Sequence, residues 1–211
     1  MLVIAIDGPG GAGKSTVAAA LARRLGLERL DTGAMYRALT LCALRRDVDP
    51  TDGPALEALA RSLSLAVGER VLVDGEDVTD DLRTPEVDSA VSIVAAHPEV
   101  RAVLVERQRA WVRDRGGGVV EGRDIGTVVL PDADAKVFLT AEPSVRAHRR
   151  AREDARSGAP DLAAARASLA ARDALDAGRA ASPLSVAEDA VEIDTSSRSV
   201  DEVVAEIVSL L

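Results

Sequence analysis

Residues 8–15 read Gly-Pro-Gly-Gly-Ala-Gly-Lys-Ser, and this run constrains the fold of the 211-residue chain more than any other feature. It matches the pattern G-x-x-x-x-G-K-[ST], a loop whose backbone N–H groups surround phosphate oxygens. The pattern carries that meaning only between a strand and a helix. Here an apolar run over residues 2–6 precedes the loop, and strong helix formers follow it as far as Gly26. The sequence therefore predicts a phosphate-binding loop at the end of a buried parallel strand.

Lys14 is one of only two lysines in a chain that contains 24 arginines. Because arginine fills nearly every other basic position, this lysine indicates a need for a compact point charge that a guanidinium cannot supply. We expect Lys14 to reach the β and γ phosphates of a nucleotide and the Ser15 hydroxyl to bind Mg²⁺. The predicted nucleotide-binding residues are Gly8, Pro9, Gly10, Gly11, Ala12, Gly13, Lys14, Ser15 and Thr16. The alternative, a chance glycine-rich turn, does not explain why a strand and a helix flank it in register.

Composition excludes several classes of protein. No apolar run approaches the ~20 residues that cross a bilayer, and we expect no secretion signal, because strand-like residues stand at the start of the sequence. Cys42 is the only cysteine, so it forms no internal disulfide; this fits a reducing cytoplasm and a packing role. The net charge of −9 argues against a nucleic acid partner. We expect a single cytoplasmic core of ordinary domain size that works as a monomer.

Few residues could recognise a nucleobase by stacking, since the aromatic side chains are limited to Tyr36, Trp111 and Phe138. A bound base would have to be read mainly by hydrogen bonds. Asparagine is absent from the chain, which eliminates an N-K-x-D guanine-reading motif and argues against a GTPase switch.

Candidate strands alternate with helical stretches along most of the chain. They cover residues 2–7, about 27–30, 117–122, 135–139 and 190–193. This alternation predicts an α/β fold, a doubly wound, five-stranded parallel sheet with helices on both faces and its ligand site at the carboxyl ends of the strands.

Two stretches interrupt that pattern. Short β-like pieces over 64–79 predict an inserted hairpin or meander. Helical sequence is expected to resume at about 80, interrupted at Pro85 and at Pro98, whose neighbours predict a new helix start. The arginine-rich segment 146–180 predicts two helices joined by a mobile turn at 157–160, although a solvated, charged hairpin has the same composition.

Five sets of residues together resemble the bacterial cytidylate kinases (CMP/dCMP kinases) from end to end. They are residues 6–16, residues 30–37, residues 84–87 with Ser92 and Arg101, residues 121–129, and the group Arg172, Asp173, Asp176 and Arg179. One departure is Thr32, which stands where the family is expected to have serine and keeps the hydroxyl.

The resemblance implies transfer of the γ-phosphoryl group of ATP to CMP or dCMP with Mg²⁺, in pyrimidine nucleotide metabolism. It also implies one P-loop kinase core with a small nucleoside-monophosphate-binding insertion at about 60–92 and a helical lid at about 146–180. Lys14, Arg123 and Arg179 are implied catalytic cations. The implied acceptor contacts are Thr32, Arg37, Arg123 and Arg179 for phosphate, Ser92, Arg101 and Asp124 for cytosine, Arg172 and Asp176 for the sugar, and Tyr36 as a wall.

The chemistry of these residues agrees with a cytosine reader. A carboxylate such as Asp124 suits the N4 amine, and Arg101 suits the N3 and O2 acceptors. Uracil has a carbonyl oxygen where cytosine has the N4 amine, so two hydrogen-bond acceptors would face each other at Asp124. A site built around a buried polar group discriminates strongly against a ligand that mismatches it in this way. Spacing puts Arg172, Asp176 and Arg179 at i, i+4 and i+7 of one helix stripe, where an ordinary salt-bridge ladder is the alternative.

The expected reaction needs no general base, because a phosphate acceptor is already anionic near neutral pH, and His97 and His148 are predicted to be structural or surface residues. The lid has Leu175 and Ala177 where the family is expected to have arginines, so Arg149, Arg150 or Arg152 would contact the transferred group. Other readings of the phosphate-binding loop are a kinase for AMP, UMP or shikimate, a regulatory nucleotide switch, and a nucleotide-binding module without turnover.

Overall fold

The computed structural model describes residues 1–154, 161–179 and 182–211. Its strands are β1 (Leu2–Asp7), β2 (Arg29–Asp31), β3 (Leu65–Val67), β4 (Val71–Val73), β5 (Glu76–Asp77), β6 (Gly117–Glu121), β7 (Ala135–Thr140) and β8 (Val191–Asp194). Its α-helices are α1 (Lys14–Leu25), α2 (Thr32–Arg45), α3 (Gly53–Ser62), α4 (Pro85–Val94), α5 (Pro98–Arg115), α6 (Pro143–Asp154), α7 (Leu162–Gly178) and α8 (Val200–Val208).

Five strands form one parallel sheet in the order β2-β6-β1-β7-β8, which confirms the predicted α/β fold. The first strand is central, and its side chains point alternately to two cores. Val3 and Ala5 pack in the core on the side of α2 and α5, whereas Ile4 and Ile6 pack in the core on the side of α1 and α8. Burial on both faces explains why β1 is apolar without alternation.

One strand begins later than the sequence predicted. The strand expected at about 27–30 is β2 at Arg29–Asp31. The reason is the end of α1: Gly26 adopts a left-handed conformation with φ 65°, and the N–H of Leu27 donates to the carbonyl of Ala22 at 2.9 Å. These residues therefore cap the helix before the chain becomes extended.

The predicted interruptions are present in the described chain. Strands β3, β4 and β5 form a separate antiparallel sheet in that order, which is the meander expected over 64–79. Helix α5 begins at Pro98, as predicted, whereas the helical sequence expected from about 80 forms a 3-10 turn at Thr79–Arg83 before α4 begins at Pro85. Helices α6 and α7 occupy the arginine-rich segment and pack against each other, while the turn predicted at 157–160 lies outside the described residues.

The predicted helix stripe over Arg172, Asp176 and Arg179 is wrong at its last member. Helix α7 ends at Gly178, and Arg179 has extended backbone angles of φ −63° and ψ 133°. Its guanidinium still lies near Asp176, with 3.4 Å between Nη2 and Oδ1. Arg179 thus lines the cleft from the extended residue that follows the end of α7.

Among the described residues, no helix has the length and apolarity needed to cross a membrane.

Candidate active site

The phosphate-binding loop follows β1 and passes close to β7. At Gly8, which has φ 141°, an added Cβ would lie 2.1 Å from the carbonyl oxygen of Leu139. Gly13 has φ 89° and caps the start of α1 at Lys14. The loop is therefore built from backbone that only glycine adopts without strain, and the positive end of the α1 dipole faces it.

Lys14 is buried beneath the loop, with its ammonium held by the loop's own carbonyls. Nζ donates to the carbonyl oxygens of Gly8 and Pro9, each at 2.8 Å. Burial lowers the pKa of Lys14, and the positive charge of Arg123 lowers it further. The ammonium is thus fixed in place and poorly solvated, so an anionic ligand in the cleft would interact with it strongly.

Ser15 and Glu121 place a hydroxyl and a carboxylate next to each other beside the phosphate-binding loop. The Ser15 hydroxyl donates to Glu121 Oε2 at 2.8 Å, and Arg29 Nη1 lies 3.0 Å from Oε1. Burial raises the pKa of Glu121, and the nearby charge of Asp31 adds to the increase.

These oxygens fit the small, hard Mg²⁺ ion, which takes one or two protein oxygens and completes its shell with phosphates and water. Consistent with that arrangement, the described part of the chain has no cluster of three or more histidine, cysteine, aspartate or glutamate side chains that would hold a metal alone.

The first turns of α2 carry three predicted acceptor residues. The Thr32 hydroxyl donates to the carbonyl oxygen of Glu121 at 2.7 Å, which ties the helix start to β6. Arg37 is buried, and Nη1 donates to the carbonyl oxygen of Leu82 at 3.1 Å. The Tyr36 ring centroid lies 5.5 Å from the Arg101 Cζ, and burial raises the Tyr36 pKa to about 12.

Arg101 and Asp124 form a buried ion pair in the wall of the cleft. Each residue is no more than 5% exposed, and Arg101 Nη2 contacts Asp124 Oδ2. Arg101 Nη1 also donates to the carbonyl oxygen of Ala95 at 3.3 Å, and Ser92 is buried in the same wall. The two side chains therefore present opposite charges to the same small space.

Asp7 supports the turn that carries Asp124. Its carboxylate accepts hydrogen bonds from the N–H groups of Ile125 at 2.8 Å and Gly126 at 2.7 Å, the first residues of a π-helical turn. Burial raises the Asp7 pKa to about 6, although both amides oppose the increase. The end of β1 thus fixes the segment that holds the buried ion pair.

The remaining predicted acceptor residues connect β6 with α7. Asp176 is buried and pairs with Arg123, whose Nε lies 2.9 Å from Oδ2, and with Arg179. Arg172 pairs with a different acid, Asp88, at 3.4 Å between Nη1 and Oδ1.

All ten predicted acceptor residues line one cleft together with part of the phosphate-binding loop. The loop residues that line it are Gly10, Gly11, Gly13, Lys14, Ser15 and Thr16. Gly8, Pro9 and Ala12 do not line it; Ala12 is fully buried behind the loop. The loop and the Arg101–Asp124 pair thus line the same cleft.

Comparison with known proteins decides the family. The cytidylate kinase family model matches residues 4–211. The cytidylate kinase of Mycobacterium leprae (strain Br4923) is 50% identical over 212 residues, which span 100% of this chain and 95% of that protein. The chain belongs to the cytidylate kinase family. It is accordingly a phosphotransferase, and family membership supports phosphorylation of CMP.

Some relatives carry this unit within a longer chain. The bifunctional pantoate ligase/cytidylate kinase of Synechococcus sp. (strain WH7803) is 51% identical over 210 residues, but the match spans only 43% of its length. A gluconokinase from Sinorhizobium meliloti 1021 has the same fold, with a TM-score of 0.51 over 99% of this chain and 91% of that one, at 17% identity.

Among the three candidate lid arginines, the structure separates one from the others. Arg150 lines the cleft. Arg149 donates to the Thr195 hydroxyl and carbonyl at 2.8 Å and 2.7 Å, and Arg152 is exposed. Of the two histidines, His97 contacts the Pro50 carbonyl at 2.9 Å and His148 lies on the surface.

Several residues of the cleft and its surroundings were not predicted. Glu121 is the last residue of the buried strand β6, and its position at the carboxyl end of that strand was a usable signal. Asp7 likewise ends β1, but nothing near it in sequence indicates that it supports the turn that carries Asp124. Asp88 offered no signal, because its partners lie 51, 62 and 84 residues away along the chain.

Proposed function

We propose that this cytidylate kinase family member transfers the γ-phosphoryl group of ATP to CMP and dCMP, producing ADP with CDP or dCDP. The observation that carries the proposal is the buried Arg101–Asp124 pair, which lines the same cleft as Lys14. A donor phosphate site and a charged base reader in one cleft are what a nucleoside monophosphate kinase requires. We further propose that the chain acts as a cytoplasmic monomer on these small molecules.

The donor end is built from the phosphate-binding loop. Its N–H groups and the start of α1 would bind the β and γ phosphates, and Lys14 would supply a fixed positive charge. Ser15 and Glu121 would hold Mg²⁺, which when bound would offset the negative charge of the phosphates. Both side chains already meet at 2.8 Å, which supports a shared ligand role.

At the acceptor end, separate sets of residues would bind the phosphate, the sugar and the base of the nucleotide. Thr32, Arg37, Arg123 and Arg179 would bind the phosphate, and Arg172 and Asp176 the sugar. Ser92, Arg101 and Asp124 would contact cytosine beside the wall formed by Tyr36. All ten side chains line the same cleft, which supports this division.

Transfer then depends on position and charge. A CMP phosphate oxygen attacks the γ phosphorus in line, a new P–O bond forms, and the bond to the β–γ bridging oxygen breaks as ADP leaves. The attacking oxygen is already anionic near neutral pH, so no proton has to be removed. Lys14, Arg123 and Arg179, with Arg150 from α6, would hold two polyanions together against their repulsion.

Release of ADP from ATP, measured with and without CMP, separates this proposal from the alternatives. We expect rapid ADP formation only when CMP is present. Slow hydrolysis that ignores CMP would indicate a nucleotide switch, and binding of ATP without turnover would indicate an inert module.

The two lysines of the chain give a matched pair of variants for the same assay. Lys14→Arg should reduce the rate of phosphoryl transfer by ~10²-fold or more, because the wider guanidinium group would displace the positive charge within a tight loop. Lys136→Arg should keep normal activity, since Lys136 pairs with the exposed Asp189 at 2.7 Å outside the cleft. Full activity in the Lys14 variant would refute the proposed role of the loop.

A further inference from the structure

Asp88 is a carboxylate on α4 to which the proposed reaction assigns no role, and three arginines surround it. Arg37 Nη1 lies 2.5 Å from Oδ1, Arg150 Nη2 contacts Oδ2, and Arg172 Nη1 lies 3.4 Å from Oδ1. These arginines come from α2, α6 and α7, so one side chain connects three helices to a fourth. The Asp88 side chain is only 14% exposed.

The three guanidinium groups would repel one another without this carboxylate. Burial, together with the charges of Arg37 and Arg123, lowers the pKa of Arg172 to about 10. Burial raises the pKa of Asp88, but Arg37, Arg150 and Arg172 outweigh that effect and the pKa is lowered. The carboxylate is therefore ionised and offsets part of the repulsion at the point where the arginines meet.

Asp88 contacts the arginines from behind the cleft. All three guanidinium groups line the cleft, whereas Asp88 is not among the described residues that line it. Each arginine directs one terminal nitrogen to Asp88 in the contacts given above. The buried Nε of Arg172 has no hydrogen-bond partner in the described part of the chain. Arg172 thus keeps a donor for an anionic ligand.

We propose that Asp88 is a positioning residue for the acceptor nucleotide, which it serves by holding Arg37, Arg150 and Arg172 in one constellation. The inference rests on the proposed function, because Arg37 and Arg172 are the proposed phosphate and sugar contacts. Asp88 would thus influence the affinity for the acceptor without touching the substrate. It also gives the lid helices α6 and α7 a fixed connection to α4.

The test compares Asp88→Asn with Glu86→Gln in the full chain. Both variants remove one negative charge from α4, but Glu86 is exposed. The steady-state kinetics of both, with CMP and with UMP as acceptor and ATP as donor, are compared with the unmodified protein. Asp88→Asn should lower kcat/KM for CMP by about 10- to 100-fold through a higher KM for CMP. The KM for ATP and the CMP-to-UMP preference should stay unchanged, and Glu86→Gln should behave like the unmodified protein.

Three outcomes would overturn the inference. Unchanged acceptor kinetics would mean that the arginines hold their positions without Asp88. A lower KM for CMP would mean that the carboxylate competes with the acceptor's phosphate. A parallel rise in the KM for ATP, or loss of the CMP-to-UMP preference, would indicate general loosening of the fold.

Two further variants keep the test decisive. Asp88→Glu keeps the charge and should restore part of the affinity for CMP. If Asp88→Asn does not fold, Asp88→Ser, which is smaller and admits water, is judged by the same criteria. Failure of the unmodified protein to phosphorylate CMP would refute the proposed function, whereas normal activity in both it and Asp88→Asn would refute this inference alone.

Discussion

At the scale of the residue, the site is a set of buried ionisable side chains, many of which are paired with one another. Arg101 and Asp124 illustrate this, since both are nearly inaccessible and they contact each other. Removing one member of such a pair leaves an uncompensated buried charge, at a cost of about 3–5 kcal/mol. A substitution that tests base reading should therefore preserve shape and keep hydrogen-bonding capacity.

Asp124→Asn meets this requirement. The amide can donate to the O4 of uracil, which the carboxylate cannot, and it is a poorer partner for the N4 amine of cytosine. We expect the ratio of kcat/KM for CMP to that for UMP to fall by ~10²-fold or more. Asp132→Asn, at an exposed position, is the matched control and should leave the ratio unchanged. An unchanged ratio in the Asp124 variant would show that another residue reads N4.

At the scale of the element, the sequence predicted the backbone frame better than the contacts that complete the site. Strand, loop and helix around Lys14 follow from local chemistry, and so does the helix start at Pro98. The late start of β2 and the end of α7 before Arg179 depend on how each helix terminates. The contacts of Asp7 and Asp88 join residues remote in sequence, and no local pattern encodes them.

Asp7 links two elements and has a measurable pH signature. Its folded-state pKa of about 6 lies above the ordinary value of 3.8. The folded protein therefore binds this proton more tightly than the unfolded chain does. The resulting stabilisation is complete below the unfolded pKa and is lost as pH rises through about 6.

Comparison with Asp7→Asn isolates this contribution, because asparagine does not titrate. Between about pH 4.5 and pH 7, we expect the unfolding free energy of the unmodified protein to fall by about 2 kcal/mol relative to the variant. Urea unfolding across this range provides the measurement. Parallel pH curves for the two proteins would contradict a raised Asp7 pKa.

At the scale of the whole molecule, function depends on the cleft as a unit. The phosphate-binding loop, α2, α4, α5, the turn after β6 and helices α6 and α7 each contribute lining residues. In the proposed reaction, such a cleft would bring two anionic nucleotides together and keep water from competing as the acceptor. Selection of the acceptor is the property that distinguishes this arrangement from any other nucleotide site on the same fold.

The most direct test is an acceptor panel of CMP, dCMP, UMP, AMP and dTMP at fixed ATP and Mg²⁺, with initial rates measured for each. The account predicts that CMP and dCMP are phosphorylated far faster than AMP and dTMP, and that UMP is at best a weak acceptor. Equal rates for CMP and AMP would contradict it, because the pair formed by Arg101 and Asp124 would then have no part in choosing the base.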